Sequence, residues 1–190
     1  MLQYIEQNPV MSKTAIRVQG PNLLLRLIEA ADANYVYGIR TNPQYNTHLS
    51  TVTGTAEDQR RWIEGYKARE ASGAEYYFVI ERLDGVRCGL IRLYDIQNVN
   101  FTWGSWILDE NKTPKAALES AILSFGVGFE ILGCERAFVD VRIQNQHAER
   151  FYRRLGMNEI CRTEQDIFFE YSRLKFEADK QNYLKIITGE

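Results

Sequence analysis

The chain has little with which to build a metal centre or a disulfide framework. It holds three cysteines, Cys88, Cys134 and Cys161, and two histidines, His48 and His147, in 190 residues. The cysteine count is odd, the spacings are wide, and there is no CxxC or Cys/His ligand pattern, so no metal site is expected. The three thiols read as reduced, small apolar side chains of a cytoplasmic protein. Long uncharged apolar runs are absent, and the opening residues, MLQYIEQNPVMSK, contain no apolar h-region. Neither a membrane span nor a signal peptide is supported. There is no excess of one charge either. A net charge of −2 gives no electrostatic reason to expect nucleic acid or an anionic membrane as partner. Internal repeats and low-complexity linkers are also missing.

What is present is ordinary for a globular domain. Hydrophobic residues make up 45% and charged residues 25%, which suits a single core in a chain of this length. Residues 1–12 read as a flexible arm before one domain over residues 13–190. Asn22 to Ile28 reads as a strand and Ala30 to Arg40 as a helix. A polar, aromatic loop follows from Thr41 to Ser50. Thr55 then caps a helix that stops at Gly73. Glu75 to Arg82 and Val86 to Ile96 are strand-like, with a hairpin signal at Asp84-Gly85. Asn100 to Leu108 is a further strand. A long helix from Pro114 to near Gly133 keeps Leu118, Ile122, Phe125, Phe129 and Leu132 on one face. Arg136 to Ile143 reads as a buried strand. Two strand-like runs, MNEICRT and DIFFEYSRLKF, precede a polar helical tail. The order predicts an α+β fold with a mostly antiparallel sheet. One strand–helix–strand step, from Asn100–Leu108 to Arg136–Ile143, should give two parallel strands.

The most informative stretch is NQHAERFYRRLGM, Asn145 to Met157. Asn145 is a good N-cap, and Ala148, Phe151, Tyr152 and Leu155 repeat at helical spacing. Gly156 sits where a helix stops. The pattern of Asn, Tyr seven residues on and Gly four further resembles the C-terminal signature of the GNAT acyl-CoA N-acetyltransferases. Met157 stands where that family usually has Phe. The order of elements is similar across nearly the whole chain. The resemblance implies a GNAT fold with helices on both faces and a sheet splayed at its two parallel strands, acetyl-CoA lying in the gap. It also implies that Asn145 lies near the pantetheine arm and that Tyr152 protonates the departing thiolate.

The family's second signature, Arg or Gln, two residues, Gly, one residue, then Gly or Ala, falls on ENKTPKAALES. Lys112 takes the Arg/Gln position, Ala117 the second small position, and Lys115 the place of the first Gly. Glycine permits unusual φ and close backbone approach, so Lys115 is the largest departure. Thr113 as N-cap and Pro114 at the first helical position offer a plain helix start instead. The N–H groups of Lys115, Ala116 and Ala117 would then face the CoA pyrophosphate.

By the same resemblance, backbone N–H groups around Trp106 and Ile107 polarise the acetyl carbonyl. No carboxylate lies on Asn100–Leu108 to serve as base. Asp95, at the end of the preceding strand, is the best substitute, with Asp140 and Glu81 beside it, and each of the three reads first as structural or solvated. His48, Arg92, Tyr94 and Trp103, with Tyr35 and Tyr45, are candidates to line the acceptor pocket. The expected activity is acetyl transfer to a primary amine, with an amino-sugar nucleotide favoured as acceptor. Peptide and ribosomal-protein N-terminal acetylation stands beside it, as does a CoA- or partner-binding module without turnover. Monomer and homodimer both fit.

Overall fold

The computed structural model describes Gln3–Tyr4 and residues 16–190. The expected arm over residues 1–12 lies outside the described residues, apart from Gln3 and Tyr4. These two form strand β1, paired antiparallel with Gln19 and Val18 of β2 (Arg17–Gln19). The remaining strands are β3 (Leu23–Leu27), β4 (Tyr76–Arg82), β5 (Arg87–Gln97), β6 (Asn100–Leu108), β7 (Arg136–Arg142), β8 (Asn158–Arg162) and β9 (Asp166–Ser172). They form one sheet in the order β1-β2-β3-β4-β5-β6-β7-β9-β8. Every pairing is antiparallel except β6 with β7.

That exception shapes the molecule. β6 and β7 pair only over Asn100–Thr102 and Arg136–Phe138. Beyond Thr102 the strands part, so Gly104–Leu108 and Asp140–Arg142 border an opening through the sheet. A second irregularity lies in the same strand. Leu90 pairs with Ile107 and Arg92 with Gly104, so Ser105 and Trp106 together oppose Ile91 alone. This β-bulge puts Ser105 at φ +51° and takes two residues out of the ladder.

Helices α1 (Ala33–Thr41) and α3 (Ala56–Ala71) cover one face, where Val36, Ile39, Ile63 and Tyr66 pack on Tyr77, Val79 and Leu90. The loop expected over Thr41–Ser50 holds a short helix, α2 (Pro43–Asn46), started by the Asn42 side chain accepting from Gln44 N–H at 2.9 Å. Thr55 and Asp58 form the capping box that opens α3. On the other face lie α4 (Ala116–Gly126), α5 (Gln146–Arg154) and α6 (Arg173–Thr188). The long predicted helix is interrupted. After Gly126 it continues as a π-type turn, Val127–Ile131. There Gly128 touches the Phe101 ring so closely that a Cβ would lie 2.2 Å from it. The run DIFFEYSRLKF is also split. Ser172 accepts from Lys175 N–H at 3.3 Å and turns the chain from β9 into α6.

Glu119, 1% exposed in the first turn of α4, accepts from the N–H groups of Asn22 and Leu23 at 2.7 and 2.9 Å. A buried carboxylate needs such donors, and these pin the start of β3 to the start of α4. No helix among the described residues is long and apolar enough to cross a membrane.

Candidate active site

The gap between β6 and β7 is the floor of a cleft of about 550 Å³. It runs through the sheet. On the α4–α5 face it is bordered by Ala117, Asn145, Phe151 and Tyr152, and on the α1–α3 face by Tyr45, His48 and Leu49. The Tyr45 hydroxyl accepts from Glu110 N–H at 3.2 Å and ties α2 to the turn after β6.

Tyr152 is 5% exposed, its ring held among Trp103, Phe151 and Phe169 at centroid distances of 5.9 to 6.0 Å. The ring is thus on the buried face that its helical spacing predicts. Its hydroxyl has no hydrogen-bond partner among the described residues and lines the cleft. Burial, then the charge of Asp140, then Tyr94 push its pKa up, so it stays protonated at neutral pH. Asn145 caps α5 as expected, its Oδ1 accepting from Ala148 N–H at 3.2 Å, and it borders the same cleft. Gly156, at φ +77°, ends the turn after α5.

The start of α4 differs from the predicted helix start. Thr113 is not the cap. Lys115 is, at φ +64° and ψ +8°, the left-handed conformation that glycine adopts without penalty. The chain thus keeps the glycine-type turn with a lysine in it. Ala116 N–H is used, donating to Thr113 O at 3.1 Å, while the N–H groups of Lys115, Ala117 and Leu118 have no backbone partner among the described residues. Thr113 Oγ1 is buried without a partner. Lys115 sends its ammonium to Ile186 O at the end of α6. Lys112 is exposed and borders the cleft. Free N–H groups, an orphaned hydroxyl and a helix N-terminus together fit a pyrophosphate.

Trp106 and Ile107 border the cleft with Gly104 and Ser105. The indole of Trp106 turns to the α4 face and donates to Ser120 Oγ at 3.2 Å, leaving its strand backbone at the opening. The small pair Gly104-Ser105 inside a strand was the available signal for the bulge.

The acceptor-side expectations divide. His48, Tyr45 and Tyr94 line the cleft. Trp103 does not: it is 1% exposed, donates to Ser124 Oγ at 2.8 Å and stacks on Phe125, so it belongs to the core. In a strand that is buried on one face, position parity decides this, and Trp103 has the parity of Phe101. Arg92 is outside the cleft as well. Its guanidinium is held by Glu75 and lies 4.9 Å from the Tyr94 ring centroid, backing that ring. Tyr35 donates to Asp109 Oδ2 at 2.8 Å, bracing the β6–α4 turn. Asp95, at φ +49°, faces a separate smaller cavity. Asp140 and Tyr94 line both cavities. No cluster of potential metal ligands occurs among the described residues.

The chain is similar to known proteins in sequence and fold. The family model for the acetyltransferase (GNAT) domain matches residues 22–158. A structure described as apo FdhC, a nucleotide-linked sugar GNAT, is similar at 37% identity and a TM-score of 0.83, over 89% of this chain and 97% of that one. The spermidine N-acetyltransferase of Vibrio cholerae in complex with CoA and spermine aligns at a TM-score of 0.70 with 19% identity, over 82% of this chain and 98% of that one. That likeness concerns the fold alone. No curated protein sequence gives a match. The chain belongs to the GNAT acetyltransferase family and is an acetyl-CoA-dependent N-acetyltransferase.

Proposed function

We propose that the protein transfers acetyl from acetyl-CoA to the primary amine of a nucleotide-linked amino sugar. The observation that carries the chemistry is a single cleft lined by both the β6 bulge and Tyr152, whose hydroxyl has no partner among the described residues. Backbone N–H groups of the bulge, at Ser105 and Trp106, stabilise oxyanion charge on the thioester carbonyl. Tyr152 supplies a proton to the departing thiolate, the role its protonated state at neutral pH suits. The N–H groups of Ala117 and Leu118, with Thr113 Oγ1, hold the pyrophosphate, and Asn145 flanks the pantetheine arm. His48 and Tyr94 lie on the side open to the acceptor.

The sugar preference is supported by the 37% identity to a nucleotide-linked sugar GNAT over nearly the full length of both chains. The test is release of free thiol from acetyl-CoA with nucleoside-diphosphate amino sugars, spermidine and an N-terminal peptide as acceptors. Fastest turnover with an amino sugar is expected. Preference for spermidine or the peptide would overturn the sugar assignment.

A further inference from the structure

The sheet is covered unevenly. On the α1–α3 face, the helices end near β6, and the half formed by β7, β9 and β8 carries no helix. A second cavity of about 290 Å³ lies there, lined by Tyr94, Asp95, Phe138, Asp140, Ile160 and Phe168. Phe138 and Asp140 alternate with the core residues Val139 and Val141 and so point away from α4. Ile160 is 53% exposed, an apolar side chain left open beside Phe168.

This cavity meets the catalytic cleft at two residues, Tyr94 and Asp140. The junction lies just past the last β6–β7 pair, Thr102 with Phe138, where the strands begin to part. The bulge and the buried, unpartnered Tyr152 hydroxyl are on the cleft side of that junction. A group seated in the small cavity therefore reaches the cleft at that junction.

We infer that the small cavity seats the amino-sugar ring of the acceptor and that Asp140, at the junction, receives the proton its ammonium must lose. This rests on the acetyltransferase reading given above and adds to it the acceptor's position and the base. The volume is near the lower end of the ~300–1,000 Å³ of small-molecule sites, enough for one ring and too little for a nucleotide as well. Apolar ring faces fit Phe138, Phe168 and Ile160, and the nucleotide extends outward over the open sheet.

The proton balance closes with groups that line the two cavities. The ammonium gives one proton to the Asp140 carboxylate, which passes it to solvent on its exposed side. The neutral amine attacks the carbonyl carbon and forms the C–N bond. The C–S bond breaks, and the thiolate takes the Tyr152 proton. The second nitrogen proton returns to the Tyr152 oxygen, leaving amide and free thiol.

The groups facing Asp140 are Asp166 from β9, Arg142 on its own strand, Tyr94 from β5 and Tyr152 from α5. Burial and then Asp166 raise its pKa, against the opposing effect of its own backbone and Arg142. A raised value makes the carboxylate a better proton acceptor.

The experiment is steady-state kinetics of the full chain across pH, with the nucleoside-diphosphate amino sugar that the wild type turns over fastest, alongside calorimetric acetyl-CoA binding. Asp140→Asn should lower kcat by about 100-fold or more and remove the acidic limb of the kcat profile, with acetyl-CoA affinity unchanged. Asp140→Glu should restore part of both. Ile160→Ser, at an exposed position that folding tolerates, should raise the acceptor KM about 10-fold, more than it lowers kcat. An acidic limb that persists in Asp140→Asn, or an acceptor KM unchanged in Ile160→Ser, overturns this placement while wild-type turnover leaves the acetyltransferase reading standing. A wild type that binds acetyl-CoA and acetylates no amine sinks both.

Discussion

Gly104 leaves the space that the Tyr94 ring fills: a Cβ at residue 104 would lie 3.1 Å from the Tyr94 hydroxyl oxygen and 3.2 Å from its ring. The two residues belong to neighbouring strands, and the Arg92 guanidinium, from the register partner of Gly104, lies 4.9 Å from the Tyr94 ring centroid. The ring thus packs against both a guanidinium and a residue with no side chain, at the junction of the two cavities. Its position depends on that absence.

Gly104→Ala should press the ring outward by a few tenths of an ångström, and Gly104→Val by more. Misplacement on the order of 1 Å costs about 100-fold in rate, so kcat/KM for the acceptor should fall about 10-fold in Gly104→Ala and further in Gly104→Val. Acetyl-CoA affinity, read by calorimetry, should change little in Gly104→Ala. Equal kcat/KM in Gly104→Ala and wild type would show that Tyr94 need not be held here.

Tyr152→Phe removes one oxygen from a ring otherwise fixed by aromatic contacts. Because that oxygen has no protein partner, the substitution leaves no buried group unsatisfied and stability should hold. The expected loss in kcat is about 100-fold or more, the usual range for a positioned acid. The high pKa of the phenol places the alkaline loss of activity well above neutrality in the wild type, since activity needs the protonated form. Retained kcat in Tyr152→Phe would remove the hydroxyl from the reaction.

Much of this architecture could be read from side-chain periodicity. Asn145, Tyr152 and Gly156 occupy the cap, apolar-face and stop positions that their spacing suggests, because one short helix sets all three. Thr55 and Asp58 close the capping box for the same local reason. What depended on long-range packing was less visible. The fate of Trp103 turned on which face of β6 meets α4. The π-type turn follows from Gly128 meeting Phe101, residues 27 positions apart in a sequence that shows only an unbroken apolar face. The bulge at Ser105 and Trp106 is a mismatch between two strands, hinted at in the sequence by the Gly104-Ser105 pair alone. Asp140 reads as an ordinary exposed strand residue until the parting of β6 and β7 sets it beside Tyr94 and Tyr152.

The core placement of Trp103 gives a contrasting expectation. Trp103→Phe removes the donor to Ser124 Oγ and part of the stacking on Phe125. Loss of that hydrogen bond and of ring volume should destabilise by about 1–3 kcal/mol, measured by denaturant unfolding. The acceptor KM should stay near wild type. A large rise in KM at unchanged stability would return Trp103 to the acceptor pocket.

Acid stability supplies a test at the sheet edge. Glu159 on β8 bonds Arg162 and Arg153, which lower its pKa from 4.5 to about 2. A carboxylate whose folded pKa is depressed stabilises above its unfolded value and loses that contribution as pH falls through the folded one. In Glu159→Gln the difference in melting temperature from wild type should therefore be present at pH 6 and shrink between about pH 4.5 and pH 2. A difference independent of pH would mean that the Arg pairing adds nothing. The pair is exposed, so added salt should reduce the effect.

Lys115 joins two demands in one residue. Its backbone is left-handed, which costs a non-glycine residue about 1–2 kcal/mol, and its ammonium caps α6 at Ile186 O, where the helix dipole favours a cation. Lys115→Gly relieves the first and forfeits the second, so stability should move by no more than about 1 kcal/mol. The backbone donors at Ala117 and Leu118 stay aligned, and acetyl-CoA affinity should hold. Lys115→Val meets neither demand. A β-branched side chain is strained at positive φ, costing on the order of 1–3 kcal/mol, and the turn should relax toward an extended conformation. Affinity for acetyl-CoA should then drop, and the same drop should be seen with CoA. If Lys115→Val binds both as tightly as wild type, the left-handed turn is not what presents the helix N-terminus to the cofactor. If Lys115→Gly alone weakens binding, the contact to α6 is what holds α4 in place, and the lysine stands at the glycine position to make it.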